Sequence, residues 1–219
     1  MIRIIKSRID GTEIRLNIEE NRRYGMMLSG GIDSGILLYL LLKAHGELGW
    51  KPNIQPFVML KKNEMVQSSA AMVNYINTQF PYDLPQPIEV GNPDIHHRDQ
   101  GEAAWREISR KYPAIDYVFY ASNATPTWDY SRWPKDAQGN PIGRPERSKG
   151  EGGMVWLPFL HLYKFHTVDL VFEHNQEEMF RLARSCTQHI SGPRCGKCFH
   201  CRERAWGFAC VSRDDPGIG

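Results

Sequence analysis

The chain has 219 residues, a length that suits one compact fold able to bury a real core. Apolar residues at 41% and charged ones at 24% are ordinary globular values, and no run approaches the roughly 20 apolar residues a membrane span needs, so a soluble protein without a membrane partner is expected. With 27 Lys+Arg against 25 Asp+Glu, the net charge of +2 gives no strong general grip on nucleic-acid phosphates. Met1-Ile2-Arg3-Ile4-Ile5-Lys6 runs at once into charged and turn-forming residues, without the apolar stretch and cleavage site of a secretory signal, so a cytoplasmic location is expected.

Arg3 to Ile5 and Glu13 to Leu16 alternate apolar and polar residues around Asp10-Gly11, which predicts a small hairpin. From Tyr24 the run Tyr-Gly-Met-Met-Leu enters Ser29-Gly30-Gly31, and Ile36 to Leu42 continues as an almost wholly apolar helix, so this segment reads as strand, tight turn and buried helix. Ile54 to Leu60 and a helix from about Asn63 to Phe80 make a second such unit, with Asn63 as the helix cap. Pro87 to Val90 predicts a short third strand, followed by a loop with His96, His97 and Arg98 and a helix from about Gly101 to Lys111. Tyr117 to Ala121 is the clearest fourth strand, made of β-formers and ending at Ser122-Asn123. Residues 124–153, rich in Pro, Gly and charge, read as a long functional loop. A short strand from Met154 to Leu157, helices over Lys164 to Phe172 and Gln176 to Ala183, and a cysteine cluster complete the chain. Alternating strands and helices predict an α/β fold of Rossmann-like kind, a parallel sheet with helices on both faces, over residues 1–183. Residues 184–219 are expected to form a metal-binding, helical C-terminal segment packed on the same domain.

A strand that ends in Ser29-Gly30-Gly31 and turns into a helix brings unpaired backbone N–H groups and the positive end of a helix dipole to one point, which suits a polyphosphate. Glycines permit close approach there. Ser29 and Ser34 offer hydroxyl donors, and Asp33 can hold the magnesium that accompanies ATP or orient the loop. The Gly-x-x-x-x-Gly-Lys-[Ser/Thr] pattern of the other common phosphate loop is absent. A bare Gly-Gly turn would be structural, but the six-residue string in this context favours the phosphate reading.

All five cysteines lie from Cys186 onward, and Cys186, Cys195, Cys198 and Cys201 have the spacing of a metal site rather than of disulfides. Four thiolates fill a structural zinc completely and leave no position for catalytic water. An iron–sulfur cluster takes the same ligands, and unligated thiols are the third alternative. His189 and His200 are read as bystanders, and Cys210 as buried or free.

Ser29-Gly30-Gly31-Ile32-Asp33-Ser34 matches the Ser-Gly-Gly-x-Asp-Ser signature of the PP-loop ATP pyrophosphatases. Joined to the cysteine spacing, it resembles the 7-cyano-7-deazaguanine synthase family of deazaguanine and queuosine biosynthesis. Pro158-Phe159-Leu160-His161-Leu162-Tyr163-Lys164 is similar to that family's Pro-Leu-x-x-Leu-x-Lys, Cys195-Gly196-Lys197-Cys198-Phe199-His200-Cys201-Arg202 to its Cys-Gly-x-Cys-x-x-Cys-x, and Asp129-Tyr130-Ser131-Arg132-Trp133-Pro134-Lys135-Asp136 to its Asp-[Tyr/Phe]-Ser-Gly-Tyr-Pro-Asp-Cys. The likeness spans Tyr24 to Phe208. It departs where the family places Arg and an acidic residue directly after Pro-Asp-Cys: here the Cys is missing and Arg144-Pro145-Glu146 follow only after Ala137 to Gly143.

The resemblance implies an ATP-dependent carbon–nitrogen ligase that adenylates 7-carboxy-7-deazaguanine, lets ammonia form the amide, and activates again to give the nitrile, with AMP and pyrophosphate released. ATP, magnesium and a structural zinc are the implied cofactors, and a homodimer is a compatible assembly. It assigns Ser29, Gly30, Gly31, Asp33 and Ser34 to ATP and magnesium, and Lys164 with Asp33 to catalysis, the lysine neutralising charge as pyrophosphate leaves. Asn123, Asp129, Tyr130, Arg132, Trp133, Asp136 and Arg144 are the substrate-binding candidates, with Trp128 adding an aromatic surface for stacking. Competing readings are transfer of the activated acyl group to another amine, including one on a macromolecule, a tRNA-modifying PP-loop thiolase, and a non-enzymatic zinc-ribbon interaction module with a degenerate nucleotide loop.

Overall fold

A computed structural model describes residues 1–60, 64–95, 99–126, 147–150, 153–186 and 193–216. Strands β1 (Ile2–Lys6) and β2 (Glu13–Asn17) pair antiparallel as the predicted hairpin, apart from the main sheet. Ile14 and Leu16 on one side of β2 sink fully into the core, while Ile2 and Ile4 of β1 stay exposed. Six strands form the main sheet: β3 (Tyr24–Met27), β4 (Ile54–Met59), β5 (Ile88–Val90), β6 (Tyr117–Tyr120), β7 (Arg147–Gly150) and β8 (Gly153–Trp156). Their order is β5-β4-β3-β6-β8-β7, with every neighbouring pair parallel except β7 with β8. Strand β7 corrects the reading of 124–153 as wholly irregular. Arg-Ser-Lys-Gly carries no β-forming side chain, and its strand character comes from an edge ladder to β8, from Arg147↔Trp156 to Gly150↔Gly153.

The helices are α1 (Ile32–Glu47), α2 (Glu64–Asn77), α3 (Gln100–Lys111), α4 (Lys164–Glu173), α5 (Glu178–Leu182) and α6 (Phe199–Cys210). Helix α2 stops short of the expected Phe80 because Thr78 and Gln79 turn tightly back on Tyr75 and Ile76. Successive residues of a strand face opposite sides of a sheet, and the core divides accordingly. Tyr24, Met26 and Phe119 pack with Ile36 and Leu37 of α1, Met72 and Val73 of α2, Val168 and Val171 of α4, Phe180 of α5 and Phe208 of α6. Met27, Phe57 and Val118 pack on the other side with Ala104 and Ile108 of α3. Helices thus cover both faces, as the alternating pattern predicts. None of the helices among the described residues is long and apolar enough to cross a membrane.

From β3 the chain winds through α1, β4 and α2 to β5 at one edge, then returns through α3 to place β6 on the opposite side of β3. The direction of winding reverses between β3 and β6. In parallel sheets the connections leaving such a pair diverge and open a crevice at the carboxyl ends, where ligands bind.

The hairpin is fastened to α4. Arg8 donates to both carboxylate oxygens of Asp169, at 2.8 and 2.6 Å. His166 Nδ1 accepts the backbone N–H of Tyr163 at 3.0 Å, so its proton sits on Nε2 and is donated to Asp10 at 3.0 Å. The Asp10 carboxyl is lowered from 3.8 to about 2, first by the N–H of Thr12 and then by His166. A depressed carboxyl contributes stability that is fully present above pH 3.8 and is lost as pH falls toward 2. Asp10 is exposed, so the effect on global stability is small and is best read locally. Titration of the Asp10 carboxyl by NMR is expected to give a midpoint near 2; an ordinary midpoint would remove this anchor.

Candidate active site

At the crevice the chain leaves β3 through Ser29 and turns at Gly30, whose φ of 72° is left-handed and favours a residue without a side chain. Ser34 Oγ accepts the N–H of Ser29 at 3.2 Å, donates to the carbonyl of Gly31 at 3.1 Å, and lies 3.1 Å from Ser29 Oγ. The two serines therefore brace the turn from inside. Gly31 caps α1 and provides no side-chain acceptor, so the first-turn N–H groups have no partner within the helix and its positive end faces the crevice. The backbone N–H of Arg184 closes the turn from behind with a 2.9 Å bond to the carbonyl of Gly30.

Asp33, in that first turn, is the hub. Its Oδ1 accepts from Thr167 Oγ1 at 2.7 Å and from Asn123 Nδ2 at 3.0 Å, and its Oδ2 accepts from Lys164 Nζ. Asn123 arrives from the end of β6, and the 2.8 Å bond from the N–H of Ala124 to the carbonyl of Leu162 ties that exit to the start of α4. A carboxylate only accepts, so the Asn123 amide must turn its NH₂ to Asp33 and its oxygen away. That oxygen is buried and has no partner among the described residues.

Lys164 is the first residue of α4 and only 7% exposed. A buried cation at the positive end of a helix is unfavourable in itself. Burial pushes its pKa down, but Asp33 and then Glu203, whose Oε2 is 3.7 Å from Nζ, outweigh this and raise it, so the lysine is charged at neutral pH. Helices α1 and α4 thus aim their N-termini and one ammonium at the same crevice, an arrangement suited to a polyanion.

Glu203 belongs to α6, which approaches closely because of Gly207: a Cβ there would lie 2.7 Å from Lys164 Cγ. Arg204 is fully buried, donating to Asp215 at 2.7 Å and to the carbonyl of Phe180 at 2.8 Å, and so fixes α6 against the end of α5. Thr167, Arg184, Glu203, Arg204 and Gly207 belong to none of the sequence motifs. One signal was available: Glu203 and Gly207 are four residues apart on a helix and therefore share a face.

Cys198 caps α6 and Cys201 lies in its first turn. The sulfurs of Cys186, Cys195, Cys198 and Cys201 all lie within 4.8 Å of one another, a group able to hold a metal ion. The backbone N–H groups of Lys197 and Cys198 point to Cys195 Sγ at 3.4 and 3.3 Å. Burial, and then the neighbouring thiol of Cys198, push Cys201 up to about 12, so a cation is required to deprotonate it. His200 stands 3.9 Å from Glu203 with its side chain 48% exposed, and Cys210 is exposed.

Ser29, Gly30, Gly31, Asp33, Ser34, Asn123 and Lys164 therefore converge, and the four cysteines form a cluster of their own. Asp129, Tyr130, Arg132, Trp133, Asp136 and Arg144 lie outside the described residues, as do Asn63, His96, His97, Arg98, Trp128 and His189.

No family model and no curated protein matches the chain. Among solved structures it is similar to the U34-tRNA thiolase NcsA from Methanococcus maripaludis with its [4Fe-4S] cluster, at 13% identity and a TM-score of 0.46, over 91% of this chain and 69% of that one.

Proposed function

We propose that the protein is a PP-loop ATP pyrophosphatase that activates a carboxylate as its acyl-adenylate, with 7-carboxy-7-deazaguanine as substrate and ammonia as acceptor. The observation that carries this reading is the Lys164–Asp33 pair, set between two helix N-termini at the crevice where the sheet reverses its winding. The pyrophosphate portion of ATP meets the open N–H groups of α1. The substrate carboxylate oxygen attacks the α-phosphorus, the bond to the bridging oxygen breaks, and the charge gathering on the leaving pyrophosphate is met by Lys164. Magnesium carried with ATP would supply further neutralisation, and Asp33 is the carboxylate that would hold it, by exchanging one of its present bonds to Lys164, Thr167 or Asn123. Ammonia then displaces AMP to give the amide, and a second ATP adenylates the amide oxygen, which leaves with AMP to give the nitrile.

The cysteine cluster fits one structural zinc. Four thiolates about 2.3 Å from a single ion stand about 3.8 Å apart, whereas a cubane puts four iron atoms between them and spreads them wider. Sulfurs already within 4.8 Å of one another support the single ion.

A second reading, transfer of the activated acyl group to a larger amine, is favoured by one departure: seven residues, Ala137 to Gly143, separate Asp136 from Arg144 where the family has none. One experiment decides between them. Protein, ATP, magnesium, 7-carboxy-7-deazaguanine and ammonium are expected to give AMP, pyrophosphate and a nitrile identified by mass. AMP release without an ammonia adduct supports the second reading, and no ATP consumption with any deazaguanine acid sinks both.

A further inference from the structure

We propose that the four-cysteine site and the ATP loop are thermodynamically coupled, so that metal bound by Cys186, Cys195, Cys198 and Cys201 tightens the loop's hold on pyrophosphate. This rests on reading Ser29 to Ser34 as a phosphate loop. Two chain segments leave the cysteine cluster, and each reaches a different half of the crevice. Two residues before Cys186, the N–H of Arg184 holds the carbonyl of Gly30 at 2.9 Å and so fixes the left-handed turn. Two residues after Cys201, Glu203 stands 3.7 Å from Lys164 Nζ. The first contact shapes the backbone donors, and the second places the cation.

Arg204 closes the connection. Its guanidinium donates to the carbonyls of Phe180 at 2.8 Å and Ala183 at 3.4 Å, directly before Arg184, so both segments are also joined directly by hydrogen bonds. At the cluster itself an ion bound by the four sulfurs adds a further tie between the two segments. Without it Cys186 is linked to α6 by thiols, which are weak donors and acceptors; with it, four metal–sulfur bonds fix the spacing of Arg184 and Glu203. Metal-loaded and metal-free protein therefore offer pyrophosphate different loops, which is the differential contact that coupling requires. Linkage makes the effect reciprocal: pyrophosphate must strengthen metal binding by the same factor.

The test uses the metal-loaded protein and magnesium pyrophosphate. Calorimetry before and after removal of the metal is expected to show binding weakened by a factor within about 5–150. Metal affinity, measured in metal buffers calibrated with the same pyrophosphate present, is expected to rise by an equal factor when pyrophosphate saturates the protein. This second arm starts from folded protein and holds even if the stripped chain unfolds. Glu203→Gln, with its metal content verified, is expected to weaken pyrophosphate binding and to shrink the factor in both arms. Equal affinities in both arms overturn the coupling. Failure of the metal-loaded wild type to bind pyrophosphate or ATP at all overturns instead the phosphate-loop reading beneath it.

Discussion

Lys164→Met is expected to lower kcat/KM for AMP formation by about 10²–10³-fold, the cost of removing one preorganised donor from a developing oxyanion. The loss should fall mainly on kcat, because the charge that Lys164 meets grows only as the bond to pyrophosphate breaks. Methionine preserves the stem that packs beside Gly207 but leaves Asp33 and Glu203 without the ammonium between them. Breaking a buried ion pair on one side costs about 3–5 kcal/mol, so chemical denaturation must accompany the kinetics. Asp33→Asn in the same chain relieves that repulsion without restoring the cation, and is expected to recover stability while leaving turnover low. Lys164→Arg is not expected to rescue, since the guanidinium is larger and the wall formed by α6 at Gly207 is already in contact with the stem. Wild-type turnover in Lys164→Met, with a folded protein, would remove the lysine from the chemistry.

The fold was legible wherever local patterning and tertiary context agree. Tyr24 to Leu28 and Tyr117 to Tyr120 are runs of mostly apolar and β-forming residues, and Ile54 to Met59 is largely so apart from Gln55 and Pro56, because a parallel strand is buried on both faces. Arg147 to Gly150 carries no such pattern; only its ladder to β8 makes it a strand, and a ladder leaves no mark on composition. The candidate site divides in the same way. Ser29 to Ser34 can be read from sequence because turn, helix start and donors are contiguous. Thr167 meets Asp33 across 134 residues of chain, the Arg184 backbone meets Gly30 from a distant segment, and Glu203 meets Lys164 on another helix; contacts between such separate segments have no local signature. Arg204 shows the limit most clearly. A charged residue between Glu203 and Ala205 reads as solvated, yet Asp215 and the carbonyls at the end of α5 satisfy it so fully that it is 0% exposed.

Cys198→Ser is expected to abolish stoichiometric metal and to cost about 8–16 °C in Tm. An ion present at 1,000 times its dissociation constant stabilises the folded state by about 4 kcal/mol, and each kcal/mol moves Tm by about 2–4 °C in a chain of this size. Among the four ligands Cys198 is the most telling, because it also caps α6. Serine keeps the cap, being among the preferred residues there, so the loss reads the metal rather than the helix start. Elemental analysis and thermal unfolding, each with and without chelator, check the claim: chelator should destabilise the wild type and leave Cys198→Ser unmoved. Zinc at one per chain with a colourless protein agrees with sulfurs gathered around a single ion, whereas iron with acid-labile sulfide would show that the cluster opens to hold a cubane. A wild type whose Tm ignores the chelator would mean that the buried pair of Cys198 and Cys201 holds α6 by packing alone.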